Sequence, residues 1–210
     1  MTAVLTPPIR QPARSPDLPL DYFYRLSVDQ YHAMIRMGIL TEDDPVELLE
    51  GCLVLKMGIN PKHWYATGQL RDWLIGLGLP GYFVHSQEPI VTDASEPEPD
   101  VAVVRGRRLD YFDVSPKARA ISLVVEVSDT TLTHDRTVKK RVYAAAGIPV
   151  YWIVNLIDQQ IEIYTRPTGA VDEPDYANCE ITSRPASVAL IIDGREVGRL
   201  SVEKLMPVVT

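Results

Sequence analysis

Only two cysteines occur in the 210 residues, Cys52 and Cys179, and neither belongs to a CxxC pair. That spacing argues against a disulfide framework or a zinc site, and it fits a reducing cytoplasm, the location expected for this chain. Long apolar runs are missing as well. None approaches the roughly 20 residues that a bilayer span requires, so no membrane partner is expected. Residues 1–24 lack the apolar centre of a secretory signal and carry Pro and Arg instead, which predicts a flexible arm, suited to draping over a neighbouring chain. There is no internal repeat. Nor is there an excess of positive charge: the net charge is −7 and the isoelectric point about 5.1, the reverse of the basic footprint usual in nucleic-acid-binding domains. Local basic clusters do exist, "RGRR" at 105–108 and "KKR" at 139–141, and a few phosphate contacts need only a few such residues.

What is present is ordinary globular material, 46% hydrophobic and 23% charged, enough for one domain over 25–210 with a sizeable core. "SVDQYHAMIRMGIL" has helical spacing, with Ser27 as N-cap, Gly38 near its end and Ile39 packed just beyond. "VELLEGCLVLK" reads as two short strands about Glu50-Gly51. "NPKHWYATGQLRDWLIGLG" reads as a helix capped by Asn60, with Pro61 in its first turn and Gly78 at its end. "GYFVHSQEPIVTD" is strand-like and "ASEPEP" a loop. "DVAVV" and "ISLVVEV" are apolar β-branched runs, as expected of strands buried on both faces. A strand at 121–127, a helix at about 134–146 and a strand at 150–154 make a βαβ unit, with Gly147 as the helix C-cap. "ALIIDGREVGRL" is a hairpin, 187–200, turning at Asp193-Gly194. The expected fold class is α/β: a central mixed β-sheet flanked by helices, with a C-terminal β-hairpin.

Two carboxylates break this pattern. Asp100 opens "DVAVV", and Glu126 stands near the end of "SLVVEV". On neighbouring strands they would meet at one edge of the sheet. Burying an ionised carboxylate is costly, and burying two together is worse, because each disfavours ionisation of the other. A divalent metal relieves both problems, and oxygen-only ligands select Mg²⁺ or Mn²⁺. The carbonyl of Val127 can supply a further ligand. Asp135, Lys139 and Tyr143 are spaced i, i+4, i+8, which aligns them on one helix face. Lys140 is turned about 100° away. A lysine beside a metal–carboxylate site can contact a phosphate or orient an attacking water.

The set "SEPEPDVAVV", "VVEVSD" and "DRTVKKRVYAAAGIPVYWIVN", together with "VELLEGCLVLKM" and His63 beyond it, resembles the Uma-type endonuclease family of the PD-(D/E)XK nuclease superfamily. The likeness covers about 25–165. It implies a restriction-endonuclease-like core and Mg²⁺-dependent (or Mn²⁺-dependent) hydrolysis of phosphodiester bonds in DNA. It further implies that Asp100 and Glu126 are metal ligands. Ser128 stands where the superfamily's usual lysine would be, and Lys139 on the following helix is the matching position. Glu47 matches an upstream acidic position that reaches the metal directly or through water. His63, Ser128 and Asp135 are the candidates for contact with substrate.

Blander readings stay open at this point. Asp100 can cap a loop after Pro99, and Glu126 can pair with an arginine across the sheet. Lys139 can be a solvated helix residue, Glu47 an edge residue and His63 structural. Lys140 is expected to face solvent, Tyr143 to pack on the sheet and Trp152 to be core. A different class of function is a catalytically inactive relative serving as a nucleic-acid or protein binding module. Cutting both strands of a duplex is easiest with two sites about a twofold axis, so a homodimer is expected, with the arm and the hairpin 187–200 at its interface.

Overall fold

The computed structural model describes residues 22–41, 43–58 and 60–206, so the arm expected over 1–24 lies almost entirely outside the described residues. The first helix, α1 (Val28–Arg36), begins at a capping box in which Ser27 and Gln30 satisfy each other's backbone amides. Ile39, expected to pack beyond it, is exposed. Strands β1 (Val46–Leu49) and β2 (Cys52–Leu55) form an antiparallel hairpin. Its turn residues Glu50 and Gly51 both have positive φ, 49° and 77°, the twist that suits a two-residue hairpin loop. A side chain at Gly51 would also strike Arg25 at 2.7 Å.

Helix α2 (Pro61–Gly76) starts where the Asn60 side chain accepts hydrogen bonds from the amides of Lys62 and His63. Strand β3 (Tyr82–His85) is all that forms from the strand-like stretch 81–93. The remainder is loop, since Pro89 and its neighbours cannot continue a ladder. Strands β4 (Val101–Arg105) and β5 (Ile121–Ser128) follow. The helical crossover is composite: α3 (Leu132–His134), a π-helical turn over Asp135–Lys139, then α4 (Lys140–Ala145). Strands β6 (Val150–Asn155), β7 (Gln160–Pro167) and β8 (Tyr176–Ser183) complete the sheet, in the order β3-β4-β5-β6-β7-β8. Only β5 and β6 run parallel, as the βαβ reading requires; the other neighbours are antiparallel. The hairpin of β9 (Ser187–Ile192) and β10 (Arg195–Ser201) turns at Asp193-Gly194 and leads into α5 (Val202–Leu205).

Alternation along the strands sorts the core into two layers. Val101, Val103, Leu123, Val125, Val127 and Trp152 face α2, α5 and the β9–β10 hairpin. Ala102, Val104, Val124, Tyr151 and Ile153 face α4. The hairpin spends its apolar side (Val188, Leu190, Ile192, Leu200) on this chain's own core. That side is therefore not open to a partner, and a dimer contact through the hairpin would have to use its outer face, where Ile191 is exposed. On the α4 side, the rings of Tyr143 and Tyr151 lie 5.1 Å apart and those of Tyr151 and Tyr164 5.7 Å apart, a contact type that adds to simple area burial. This stack fixes the helix against the strands behind the site described next.

Candidate active site

Parity brings the two carboxylates together. Asp100 shares its side of β4 with Ala102 and Val104, and Glu126 shares its side of β5 with Val124; both sides face α4. The antiparallel register pairs Val101 with Val125, so the next pair outward is Asp100 opposite Glu126. Like charges directly opposite across a ladder are destabilising. Backbone amides offset part of that cost. The Asp100 amide donates to Glu126 Oε2 (3.3 Å), and the Val127 amide donates to Asp100 Oδ2 (2.8 Å). His63, in the first turn of α2, places Nε2 3.0 Å from the same Asp100 oxygen. Asn60 steadies that turn by donating to Asp129 Oδ2, just past β5, at 2.6 Å.

The π-helical turn supplies the positive charge. π-Bulges recur at functional sites, and here the turn leaves Asp135, Lys139 and, in the next turn, Tyr143 all buried. Lys139 Nζ donates to Glu47 Oε2 at 2.7 Å and lies 3.3 Å from Glu126 Oε1. Glu47 is held in turn by the Glu98 amide at 3.0 Å. Glu126 therefore pairs with a lysine, not with an arginine across the sheet, and Lys139 is not a solvated helix residue. Arg136, next along, is clamped to the buried Glu162 (2.5 Å) and anchors the turn to β7.

The shared burial has consequences for protonation. Desolvation raises the Glu126 pKa from 4.5 to about 8; Lys139 pulls it down, and Asp100 adds to the rise. Burial acts to lower the Lys139 pKa, but Glu126 and Glu47 outweigh it and hold the ammonium well above its usual range. Lys139 is a permanent cation at any working pH. Burial likewise raises Asp135, against the bonds it accepts from Thr131 and Ser128. For His63, burial lowers the pKa, yet the hydrogen bond and charge of Asp100 leave it raised.

These groups line one pocket of about 260 Å³, whose walls hold five carboxyl side chains (Glu47, Glu98, Asp100, Glu126, Asp135) against two lysines, Lys56 and Lys139. Val127 also borders it. Because the Val127 side chain belongs to the opposite core layer, its main chain is what can face the pocket. Ser128 does not line it. Fully buried, it donates to Asp135 Oδ2 at 2.7 Å and so positions that carboxyl instead of meeting a substrate. Apart from Lys139, the paired members of both basic clusters are engaged elsewhere. Arg105 pairs with Asp193 and Arg107 with Asp110, at the far end of β4 from Asp100. Lys140 and Arg141 pair with Asp175 and Glu50, so Lys140, expected to face solvent, is half-buried.

Tyr143 is core, as expected, but it also donates its hydroxyl to Glu126 Oε1 at 2.5 Å. Its place four residues after Lys139 was the available signal. Tyr143→Phe should cost about 1–3 kcal/mol, the range for stripping a partner from a buried polar group. A matched pair of thermal melts checks this, and equal melting temperatures would show that the hydroxyl holds nothing.

Among the described residues, no three or more His, Cys, Asp or Glu side chains converge as a ready-made metal cage. The donor set fits a different kind of ion site. Mg²⁺ commonly keeps several waters and takes only one or two carboxylates. Asp100 accepts both of its side-chain hydrogen bonds on Oδ2, which leaves Oδ1 without a partner among the described residues.

A family model described as "Uma2: Putative restriction endonuclease" matches residues 28–202. A crystal structure of a putative nuclease belonging to DUF820 from Anabaena variabilis superposes with a TM-score of 0.62 at 16% identity, covering 86% of this chain and 97% of that one. At that identity the likeness shows the fold alone. No curated protein matches the chain.

Proposed function

The chain belongs to the Uma2 family, and from that premise we propose that it is a divalent-metal-dependent endonuclease that hydrolyses phosphodiester bonds in DNA. The reading is carried by the charge of the pocket. Four carboxyl groups besides Glu126, which is protonated up to about pH 8 without metal, stand against two lysines and two histidines, and this acid excess disfavours a phosphate diester. It attracts a divalent cation, which reverses the local sign. Asp100, Glu126 and the Val127 carbonyl would hold Mg²⁺ or Mn²⁺. Such an ion supplies a water of lowered pKa and neutralises charge developing on phosphorus.

The protein's own groups divide the remaining work. Lys139 stays protonated, so it cannot take a proton from water. It acts as a fixed donor, aimed at the water or at a phosphate oxygen. Glu47 is a positioning residue, holding Lys139 by the hydrogen bond it accepts from Nζ. His63 and the Val127 amide fix one oxygen of Asp100 and leave the other facing the pocket. Asp135, tied by Ser128 and Thr131, lines the wall where a substrate or its water would pass. The attacking water gives up a proton to solvent as its oxygen bonds to phosphorus, one P–O ester bond breaks, and the leaving oxygen takes a proton from solvent.

The deciding experiment is a titration of Mg²⁺ and Mn²⁺ against plasmid and single-stranded DNA. Metal-dependent cleavage supports the reading. A protein that folds and binds metal but cuts nothing points to the binding-module alternative. Cutting both strands further calls for a homodimer, and light scattering that returns the monomer mass at working concentration counts against it.

Protonation and metal should be linked. Folded Glu126 holds its proton up to about pH 8, whereas the unfolded carboxyl gives it up near 4.5. Its contribution to metal-free stability is therefore complete below about 4.5 and is lost as pH rises through about 8. Saturating Mg²⁺ competes with that proton, so its stabilisation should grow over the same window. Melting temperatures across pH 4.5–8.5, with and without Mg²⁺, test this; parallel curves would remove Glu126 from the metal site.

A further inference from the structure

Beside the carboxylate pocket lies a second lobe of about 410 Å³, walled by Val54, Leu55, Met57 and the threonines at 130, 131, 133 and 137. Leu55, Met57, Thr131 and His134 line both lobes, so the two form one cleft. Their chemistry is opposite. Among the described residues, the second lobe has no acid, lysine or arginine in its walls. Leu55 and Met57 are more than half exposed, an arrangement that marks a ligand-facing surface when it adjoins a polar site. Two of the hydroxyls turn back to the chain itself. Thr137 donates to the Thr133 carbonyl at 2.7 Å, and Thr131 donates to Asp135 at 2.5 Å, so methyl groups remain for the cleft.

Such a lobe suits a flat, uncharged group; to a phosphate it offers no lysine or arginine, only His134 and the hydroxyls of Thr130 and Thr133. On a polynucleotide, the uncharged group within reach of a scissile phosphate is a nucleobase. Bases in an intact duplex are stacked inward and cannot enter; an unpaired base can swing out and lie between apolar walls. The state of the two basic segments agrees. Duplex binding draws on several free cations along the backbone, and the basic segments at 105–108 and 139–141 are largely consumed in ion pairs with Asp193, Asp110, Glu47, Asp175 and Glu50.

We propose that this lobe is a base-binding subsite and that the substrate carries an unpaired nucleotide beside the cleaved phosphate, as in a single strand, loop or bubble. The inference rests on the nuclease reading and narrows its substrate. The test uses one oligonucleotide carrying 2-aminopurine, as a single strand, as a duplex and with a central bubble, and the double variant Leu55→Ala/Met57→Ala. Both side chains are largely exposed, and a melt confirms that the variant folds. With Mg²⁺, the single strand and the bubble should be cut at least tenfold faster than the duplex, and the variant should lose that preference. With Ca²⁺ as a binding-only condition, single-strand binding should change 2-aminopurine fluorescence in the wild type and not in the variant. Duplex cut as fast as single strand, or a variant that keeps the preference, overturns the subsite and leaves the nuclease reading intact. Binding that depends on Leu55 and Met57 without cleavage under any metal keeps the subsite and overturns the nuclease. Neither binding nor cleavage overturns both.

Discussion

Glu126→Gln should abolish metal-dependent cleavage, by about 10³-fold or more, while leaving the metal-free protein as stable as before to within about 1 kcal/mol. The rate figure corresponds to losing several kcal/mol of charge stabilisation that the ion supplies, at 1.36 kcal/mol per tenfold. The stability expectation follows from burial. Glu126 is almost fully buried and holds its proton up to about pH 8 without metal. At pH 7, glutamine is therefore close in shape and charge to what already stands there. Its carbonyl can still accept from the Tyr143 hydroxyl or the Asp100 amide, the two hydrogen-bond donors now on Glu126. Asp100→Asn should behave alike in cleavage, and metal-free stability should gain from relief of repulsion between the facing carboxyls only as pH rises towards about 8 and Glu126 ionises. Calorimetric metal titration joined to metal-free melts distinguishes the outcomes. A large stability loss in both variants, with cleavage retained, would make the pair a structural feature instead of a metal site.

Lys139→Ala should strike both stability and rate. Lys139 is 4% exposed between Glu47 and Glu126, which are 6% and 5% exposed. Removing one partner of a buried ionic cluster typically costs about 3–5 kcal/mol, because the remaining charge is left unpaired. For a chain of this size that is a fall in melting temperature of about 10 °C. Glu126 already holds its proton below about pH 8, so the charge left unpaired there is that of Glu47, and the deficit should widen only above that pH, where Glu126 ionises. Below the melting range, cleavage should fall about 10²-fold or more, the effect of losing one preorganised donor. Metal affinity should hold or rise, since lysine is no ligand and its charge repels the ion. Lys140→Ala is the internal control. It removes the same charge from the next residue, but its partner Asp175 is half exposed, so the stability change should stay within about 1 kcal/mol. Cleavage lost on Lys140→Ala and kept on Lys139→Ala would reverse the assignment.

Sequence alone carried whatever rests on neighbours in the chain. Asn60 before Pro61, Ser27 three residues before Gln30, and Asp193-Gly194 between apolar runs mark caps and turns because backbone dihedrals and local hydrogen bonds respond to those residue types. The β-branched runs at 101–104 and 121–125 mark central strands, and a glutamate among valines marks a place where burial must be compensated. The period of two then places Asp100 and Glu126 on one face once their strands are adjacent. Tertiary structure alone decided the compensation. Glu47 and Lys139 meet across 92 residues, through a hairpin and a π-helical turn that no α-helical spacing foretells. Convergence of distant segments also paired Arg105 with Asp193, Lys140 with Asp175 and Arg141 with Glu50, cations that look free in the sequence. A charge's availability depends on what folds against it, and periodicity is silent about that.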